Sequence, residues 1–127
     1  MNELKSFRDL KCWKEAIEFR KHARLLMNTF PADEKYRLTD QLVRALRSVT
    51  NNIAEGFGRF HYQENIQFCR HSRGSLTEIQ DHFYCAFEKS YISQEEMEDI
   101  FQRAEKVISL INGYINYLKK AKDRDNG

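Results

Sequence analysis

The chain has 127 residues with one Pro and five Gly, the size of a single compact domain. Hydrophobic residues make up 41% and charged residues 31%, which provides for a buried core and excludes a mainly disordered chain. Because turn-forming residues are so few, a sandwich or barrel of many short strands is also excluded, and helices are favoured. The formal net charge of +2 gives no bulk field that would mark a strong nucleic-acid binder.

Four segments of the chain show the three-and-four spacing of apolar residues that predicts amphipathic helices. Pro31 ends the first segment, and Asp33 is a candidate cap for the second. Ser93 precedes the fourth segment in a Ser-x-x-Glu pattern, which predicts a capping box with Glu96. We expect residues 119–127 to form a charged, frayed tail. The predicted helices cover about residues 9–30, 34–57, 62–89 and 94–120.

Four helices of similar length with short joints predict an all-α fold, an antiparallel up-down-up-down four-helix bundle. We expect one domain over residues 1–127. Gly74 and Gly113 lie inside the third and fourth predicted helices, where Gly costs about 1 kcal/mol relative to Ala. A close backbone approach at each of these glycines is the usual reason for such a choice.

The cysteines Cys12, Cys69 and Cys85 are odd in number and widely spaced. Since no Cys-x-x-Cys pair is present, they favour free thiols in a reducing compartment over disulfides or a zinc site. The sequence also lacks a signal-peptide pattern and any apolar run near the roughly 18 residues of a membrane span. We therefore expect a cytoplasmic protein without a membrane partner.

Catalytic and metal-binding patterns are weak in this sequence. A di-iron bundle requires Glu-x-x-His on two helices, whereas the close pairs here are Glu18 with His22 and Glu78 with His82, both at i,i+4. Neither a Ser/His/Asp order nor a Gly-rich phosphate loop is present. We predict no catalytic residues, no metal and no cofactor. An enzyme with a bundle-core site that the sequence does not reveal is the alternative.

The non-core side of the second predicted helix carries hydrogen-bonding side chains of fixed geometry. Arg44 and Glu55 lie about 16 Å apart along one helix, so a bond between such groups has to join two subunits. A solvated face with one Glu55 to Arg59 pair at i,i+4 is the alternative to this subunit network. The predicted network residues are Gln41, Arg44, Ser48, Asn52, Glu55 and Arg59.

Aromatic and basic residues outside the apolar stripes indicate possible partners. Eight aromatic residues exceed what four core stripes need, so some serve an oligomer interface or the stacking of RNA bases. Any nucleic-acid binding is expected to be electrostatic and weakly sequence-selective. The surplus aromatic residues are Tyr36, Phe57, Phe60, Tyr62, Tyr84, Tyr91, Tyr114 and Tyr117. The candidate nucleic-acid contacts are Lys14, Lys21 and Arg24 on the first helix and Arg59, Arg70 and Arg73 near the second joint.

Several motifs occur in order over residues 7–78. They are Phe7-x-x-Leu10-x-x-Trp13-x-x-Ala16, Phe30-Pro31, Tyr36-Arg37-Leu38-Thr39, Gln41-Leu42-x-Arg44-Ala45, Asn52-Ile53-Ala54-Glu55-Gly56-Phe57-Gly58-Arg59 and Gly74-Ser75-Leu76-x-Glu78. On these motifs the chain resembles the bacterial four-helix bundle proteins encoded in intervening sequences of 23S ribosomal RNA genes. The resemblance implies a ring-shaped homopentamer without established enzyme activity. It also implies a link to RNA or to a nucleic-acid enzyme such as a retroelement reverse transcriptase.

Overall fold

Four helices account for most of the structure, a computed structural model that describes residues 4–126 and the side chains of residues 4–125. Short 3-10 turns at Phe7–Asp9 and Ala32–Glu34 precede the first two helices. No strand occurs in this part of the chain, so the predicted all-α class is confirmed. The helices are α1 (Lys11–Met27), α2 (Leu38–Phe57), α3 (Tyr62–Glu88) and α4 (Gln94–Asn126).

The helices pack as a closed antiparallel bundle. Each helix contacts its neighbours along the chain, and α4 completes the ring against α1, with the most extensive packing between α2 and α3. Ser48 pairs with Ser75 while Gly56 lies against Asn65, so α3 runs back as α2 advances. The predicted up-down-up-down bundle is therefore confirmed. None of its helices, within the described residues, is long and apolar enough to cross a membrane.

Leu, Ile and Phe side chains from all four helices form one core between them. Polar groups that enter the core have internal partners. Ser72 donates to the Val49 carbonyl oxygen at 2.7 Å, and the Asn65 amide donates to the Tyr114 hydroxyl at 2.9 Å. Over residues 4–125, every fully buried side-chain nitrogen or oxygen has a hydrogen-bond partner. The largest fully buried apolar side chains are Phe83, Leu42, Leu46, Ile53, Ile66, Leu76, Ile79 and Ile111.

The joint between α1 and α2 is longer than the sequence predicts. The first helix was predicted over 9–30 but ends at Met27, and the second was predicted from 34 but begins at Leu38. Asp33 is not its cap. The reason is Glu34, whose buried carboxylate accepts the Leu38 backbone N–H at 3.4 Å and so holds residues 32–34 in a separate turn.

The second and third joints match their predictions more closely. The second helix ends at Phe57 and the third begins at Tyr62, as predicted. The third helix ends at Glu88, one residue short of its predicted bound. The capping box before α4 is confirmed, since Ser93 N donates to Glu96 Oε1 at 2.9 Å and Glu96 N donates to Ser93 Oγ at 3.0 Å.

The fourth helix continues to Asn126, so both its predicted end at residue 120 and the frayed tail are wrong over the described residues. Ala121 is buried one turn beyond the expected end. Lys122 Nζ donates to Gln63 Oε1 at 2.8 Å, and hydrogen bonding to the Asp125 carboxylate raises the pKa of Tyr62. Contacts with the start of α3 therefore stabilise the last two turns of α4.

The predicted close approaches at Gly74 and Gly113 are also wrong. A Cβ at either position would have no neighbouring atom within 4 Å. The close approach is at Gly56 instead, where a Cβ would lie 2.7 Å from Asn65 Oδ1 and 2.9 Å from Phe68 Cβ. Gly56 thus allows α2 and α3 to meet closely at the joint between them.

Candidate functional site

Part of the predicted polar network lies between α2 and α3. The Ser48 and Ser75 hydroxyls are 2.8 Å apart. Asn52 Nδ2 donates to the Ser48 carbonyl oxygen at 2.8 Å and to Ser48 Oγ at 2.9 Å. These three side chains form one hydrogen-bonded group along the outer edge of the α2–α3 contact, which accounts for Asn52 inside a helix.

The remainder of the predicted network faces outward. Gln41 and Arg44 are exposed, and Arg44 Nε pairs with Asp40 at 3.0 Å on its own helix. The neighbouring Arg47 and Asn51 are exposed and line an open groove with Phe7 and Trp13. The exposed polar groups on this part of α2 are therefore the guanidinium groups of Arg44 and Arg47 and the side-chain amide of Asn51. The groove was not predicted from the sequence because Arg47 and Asn51 belong to α2, whereas the two rings belong to the start of the chain.

Glu55 and Arg59 form a pair at the end of α2. Glu55 Oε2 accepts from Arg59 Nη2 at 3.1 Å, and the Glu55 side chain is 49% exposed. The Arg59 guanidinium also lies over the Phe68 ring at 4.8 Å, and it approaches Glu64 at 4.0 Å. Within one chain this is the i,i+4 pair of the alternative interpretation. The network between subunits stays a prediction.

The predicted basic contacts lie on different sides of the bundle. Lys14, Lys21 and Arg24 are exposed along α1, and Lys21 pairs with Glu18 at 3.1 Å. Arg73 Nη1 donates to Asn112 Oδ1 at 2.7 Å, which directs it toward α4. Arg70, one turn earlier, is half-buried. Arg59 instead lies toward α3 from the end of α2, so the structure does not bring it together with Arg70 and Arg73.

A division of charge along the bundle axis was missed by the sequence reasoning. One end, formed by residues 4–11, 55–64 and 117–125, carries eight basic and five acidic side chains and is named the basic end. The opposite end, formed by residues 24–40 and 88–99, carries four basic and eight acidic side chains and is named the acidic end. The basic residues of the basic end are Lys5, Arg8, Lys11, Arg59, Lys119, Lys120, Lys122 and Arg124.

Exposed aromatic rings also occur at the basic end. Phe60 is 93% exposed in the joint between α2 and α3, and Tyr117 is 53% exposed on α4. Both line one surface depression, the aromatic hollow, together with Arg59, His61 and Tyr62. Rings of this size are normally covered by other groups, so the aromatic hollow is a candidate contact surface.

A buried carboxylate joins two loops at the acidic end. Glu34 accepts from the Tyr91 hydroxyl at 2.5 Å and from Lys89 Nζ at 3.1 Å. These hydrogen bonds, with Tyr91 the largest contributor, lower the pKa of Glu34. The same bond raises the pKa of Tyr91 to about 12. These hydrogen bonds hold the α1–α2 joint against the α3–α4 joint, so the role of Glu34 is structural.

Burial determines the protonation of the two cysteines in the core. Burial raises the pKa of Cys12 to about 11 and that of Cys69 to about 12, which keeps both thiols protonated. Across residues 4–125, no group of three or more His, Cys, Asp or Glu side chains is placed to hold a metal ion.

Comparisons with known proteins agree with the bundle. A solved structure described as a protein with unknown function from the S23 ribosomal protein family of Bacteroides thetaiotaomicron has a TM-score of 0.72. It is 17% identical, and the match covers 82% of this chain and 97% of that chain, which shows a shared fold. No curated protein sequence matches the chain. The family of the 23S rRNA-intervening sequence protein matches residues 8–113. Since this match spans most of the sequence, the chain belongs to the 23S rRNA-intervening sequence protein family.

Proposed function

We propose that the protein is a non-catalytic homo-oligomer, a ring of five subunits, that binds nucleic acid through a basic surface. The observation that carries the proposal is the division of charge between the basic end and the acidic end. Phosphate groups contribute most of the affinity in such complexes, and a local excess of Lys and Arg is what they require. A modest net charge of the whole chain is compatible with this, because the acidic residues collect at the other end.

A ring amplifies the charge division. Rotation about the ring axis preserves direction along that axis, so every subunit places the same end on the same face. When the long axis of each bundle points at least partly along the ring axis, all basic ends lie on one face of the ring and all acidic ends lie on the other. Several weak phosphate contacts on one face act together and raise the overall affinity without any new kind of contact.

Two features support the oligomer. The outer side of α2 presents Arg44, Arg47 and Asn51, whose fixed hydrogen-bonding geometry suits a contact with another chain better than solvent. The exposed ring of Tyr84, which lies outside the basic end, also suits a covered surface. The number five comes from the resemblance of residues 7–78 to the bacterial bundle proteins.

The absence of catalysis is supported by the partners of the buried polar groups. Ser72, Asn65 and Glu34 are buried, and each hydrogen-bonds to another group within the fold. The free thiols of Cys12 and Cys69 are buried and fit a reducing compartment such as the cytoplasm. Stoichiometric metal or a chromophore in the purified protein would instead favour an enzyme with a bundle-core site.

Binding to a labelled single-stranded RNA tests the proposal, with fluorescence anisotropy measured at about 50 mM and about 150 mM salt. We expect Lys119→Glu combined with Lys120→Glu to weaken binding strongly. Each lost phosphate contact should lower the slope of log affinity against log salt by about 0.7. The matched control is Lys35→Glu combined with Arg37→Glu, two exposed cations at the acidic end. This control should bind nearly as the unchanged protein does.

Exposed cations are also found along α1, from Lys11 at the basic end through Lys14 and Lys21 to Arg24, where the acidic end begins. Lys14→Glu, Lys21→Glu and Arg24→Glu together should therefore also weaken binding. Equal losses in the acidic-end control would show a response to overall charge alone and would contradict the proposal. If the unchanged protein binds no RNA at about 50 mM salt, the scaffold serves a protein partner instead.

A further inference from the structure

Each exposed ring of the aromatic hollow at the basic end lies beside another ring. Tyr117 lies nearly parallel to Tyr114, with 11° between the ring planes and 6.2 Å between the ring centroids. Phe60 meets His61 edge to face, with centroids 5.0 Å apart. Each exposed ring thus has a neighbouring ring on one side and remains open on the other.

Tyr114 is itself anchored in the bundle. Its hydroxyl accepts from Asn65 Nδ2 at 2.9 Å, and burial raises its pKa to about 12, so the hydroxyl stays neutral. Asn65 is buried and packs under Gly56 at the α2–α3 contact. The position of Tyr117 is therefore set by the helix packing, which lowers the ordering cost of a flat ligand that stacks on it.

Cationic groups outnumber carboxylates at the margin of the aromatic hollow, where Asp125 bonds to Tyr62 and Glu55 pairs with Arg59. Arg59 lines it directly, and Lys11 lines the adjoining depression that also includes Tyr114 and Tyr117. Lys122 reaches the start of α3 through Gln63. Lys119 and Lys120 are exposed within one turn of Tyr117. Uncovered rings with cations at their margin match unpaired bases with phosphates on either side, because bases stack on aromatic faces while the backbone follows positive charge.

Resting on the proposed nucleic-acid function, we propose that the aromatic hollow binds single-stranded nucleic acid, with bases stacked on Phe60 and Tyr117. A duplex is a poorer ligand for this surface because its bases are already stacked on each other. Tyr36 provides the contrast. It is 83% exposed, but it lies at the acidic end, which carries eight acidic and four basic side chains, and Lys35 Nζ already lies 5.4 Å from its ring centroid.

The test uses a fluorescein-labelled 12-residue oligo(U) and a 12-base-pair RNA duplex at about 50 mM salt. We expect Phe60→Leu combined with Tyr117→Leu to weaken oligo(U) binding by about tenfold or more and to leave duplex binding nearly unchanged. Phe60→Trp should retain the oligo(U) affinity because it retains an aromatic face. The matched control, Tyr36→Leu, should behave as the unchanged protein does.

The oligomer mass is measured by light scattering and the melting temperature by thermal unfolding for each variant. Unchanged oligo(U) binding by the Leu variant, with binding by the unchanged protein intact, overturns the stacking and leaves the proposed function in place. Equal losses for oligo(U) and duplex also overturn the stacking. A Leu variant with a smaller oligomer mass overturns it too, because the rings would then fill a subunit contact. A lack of any RNA binding by the unchanged protein overturns this inference and the proposed function together.

Discussion

Gly56→Ala should be the most damaging single-methyl change in the bundle. The new Cβ would lie 2.7 Å from Asn65 Oδ1, 2.9 Å from Phe68 Cβ and 3.2 Å from the Asn65 carbonyl oxygen. One of these neighbours is backbone and another is the first side-chain atom of a helical residue, so neither can move without a shift of α3. Movement of Asn65 also disturbs its hydrogen bond to Tyr114.

The magnitude follows from three contributions. Ala gains about 1 kcal/mol over Gly in a helix interior. Overpacking costs about 1–3 kcal/mol, and a weakened Asn65 hydrogen bond costs about 0.5–1.5 kcal/mol. The net result is a loss of about 0.5–3.5 kcal/mol in the free energy of unfolding.

The control is Gly113→Ala, also within a helix but with nothing within 4 Å of the new Cβ. It should gain about 0.5–1 kcal/mol from helix propensity alone. Urea unfolding followed by circular dichroism measures both variants under one set of conditions. Equal or higher stability for Gly56→Ala relative to Gly113→Ala would refute the close α2–α3 contact at Gly56.

Three further predictions follow from the buried and paired groups. The folded-state pKa of Glu34 is lowered by its bond to Tyr91, so its contribution is complete above the ordinary value of 4.5 and is lost as the pH falls through the folded value. Glu34→Gln should therefore lower the melting temperature at pH 7 and flatten its decline in acid; an unchanged acid profile would contradict this. Glu55→Ala should reduce the oligomer mass in light scattering, whereas the control Glu98→Ala should not. The Glu55–Arg59 pair inside one chain is worth only about 0.3–0.5 kcal/mol, so a large effect requires a partner of Glu55 in another subunit. Equal mass and stability for both variants would leave Glu55 without a partner in another subunit. Ala121→Asp should destabilise the bundle by at least about 1 kcal/mol because it places a polar group in a buried site, and a change below about 0.5 kcal/mol would contradict the extended α4.

The sequence predicted the helices well because apolar spacing over several turns reports the buried face directly. It failed where a single polar contact decides a boundary. Glu34 in the first joint looks like an ordinary first-turn acid, yet its carboxylate is buried by Tyr91 from a distant joint. Near the end of α4, Ala121 follows Leu118 at the three-residue spacing of a buried helix face. The surrounding Lys and Asp residues masked this sign that the helix continues.

The candidate site was less predictable because it depends on topology. Lys11, Arg59 and Lys120 are far apart in the sequence and come to one end only through the antiparallel order of the helices. Similarly, nothing local distinguishes Gly56 from Gly113, since the distance of the facing helix decides which glycine is required. Four of the eight surplus aromatic residues pack against the core, namely Phe57, Tyr62, Tyr91 and Tyr114, and four are exposed, namely Tyr36, Phe60, Tyr84 and Tyr117. The grouping of exposed rings with cations needed the folded bundle.

The most direct test of the proposed scaffold is light scattering across a chromatographic peak, with and without single-stranded RNA at about 50 mM salt. The expected particle without RNA has five times the 15.2 kDa mass of the chain. Its mass should increase by that of the bound RNA and return to the original value at high salt. A particle of 15.2 kDa whose mass does not change with RNA would contradict both the oligomer and its nucleic-acid binding.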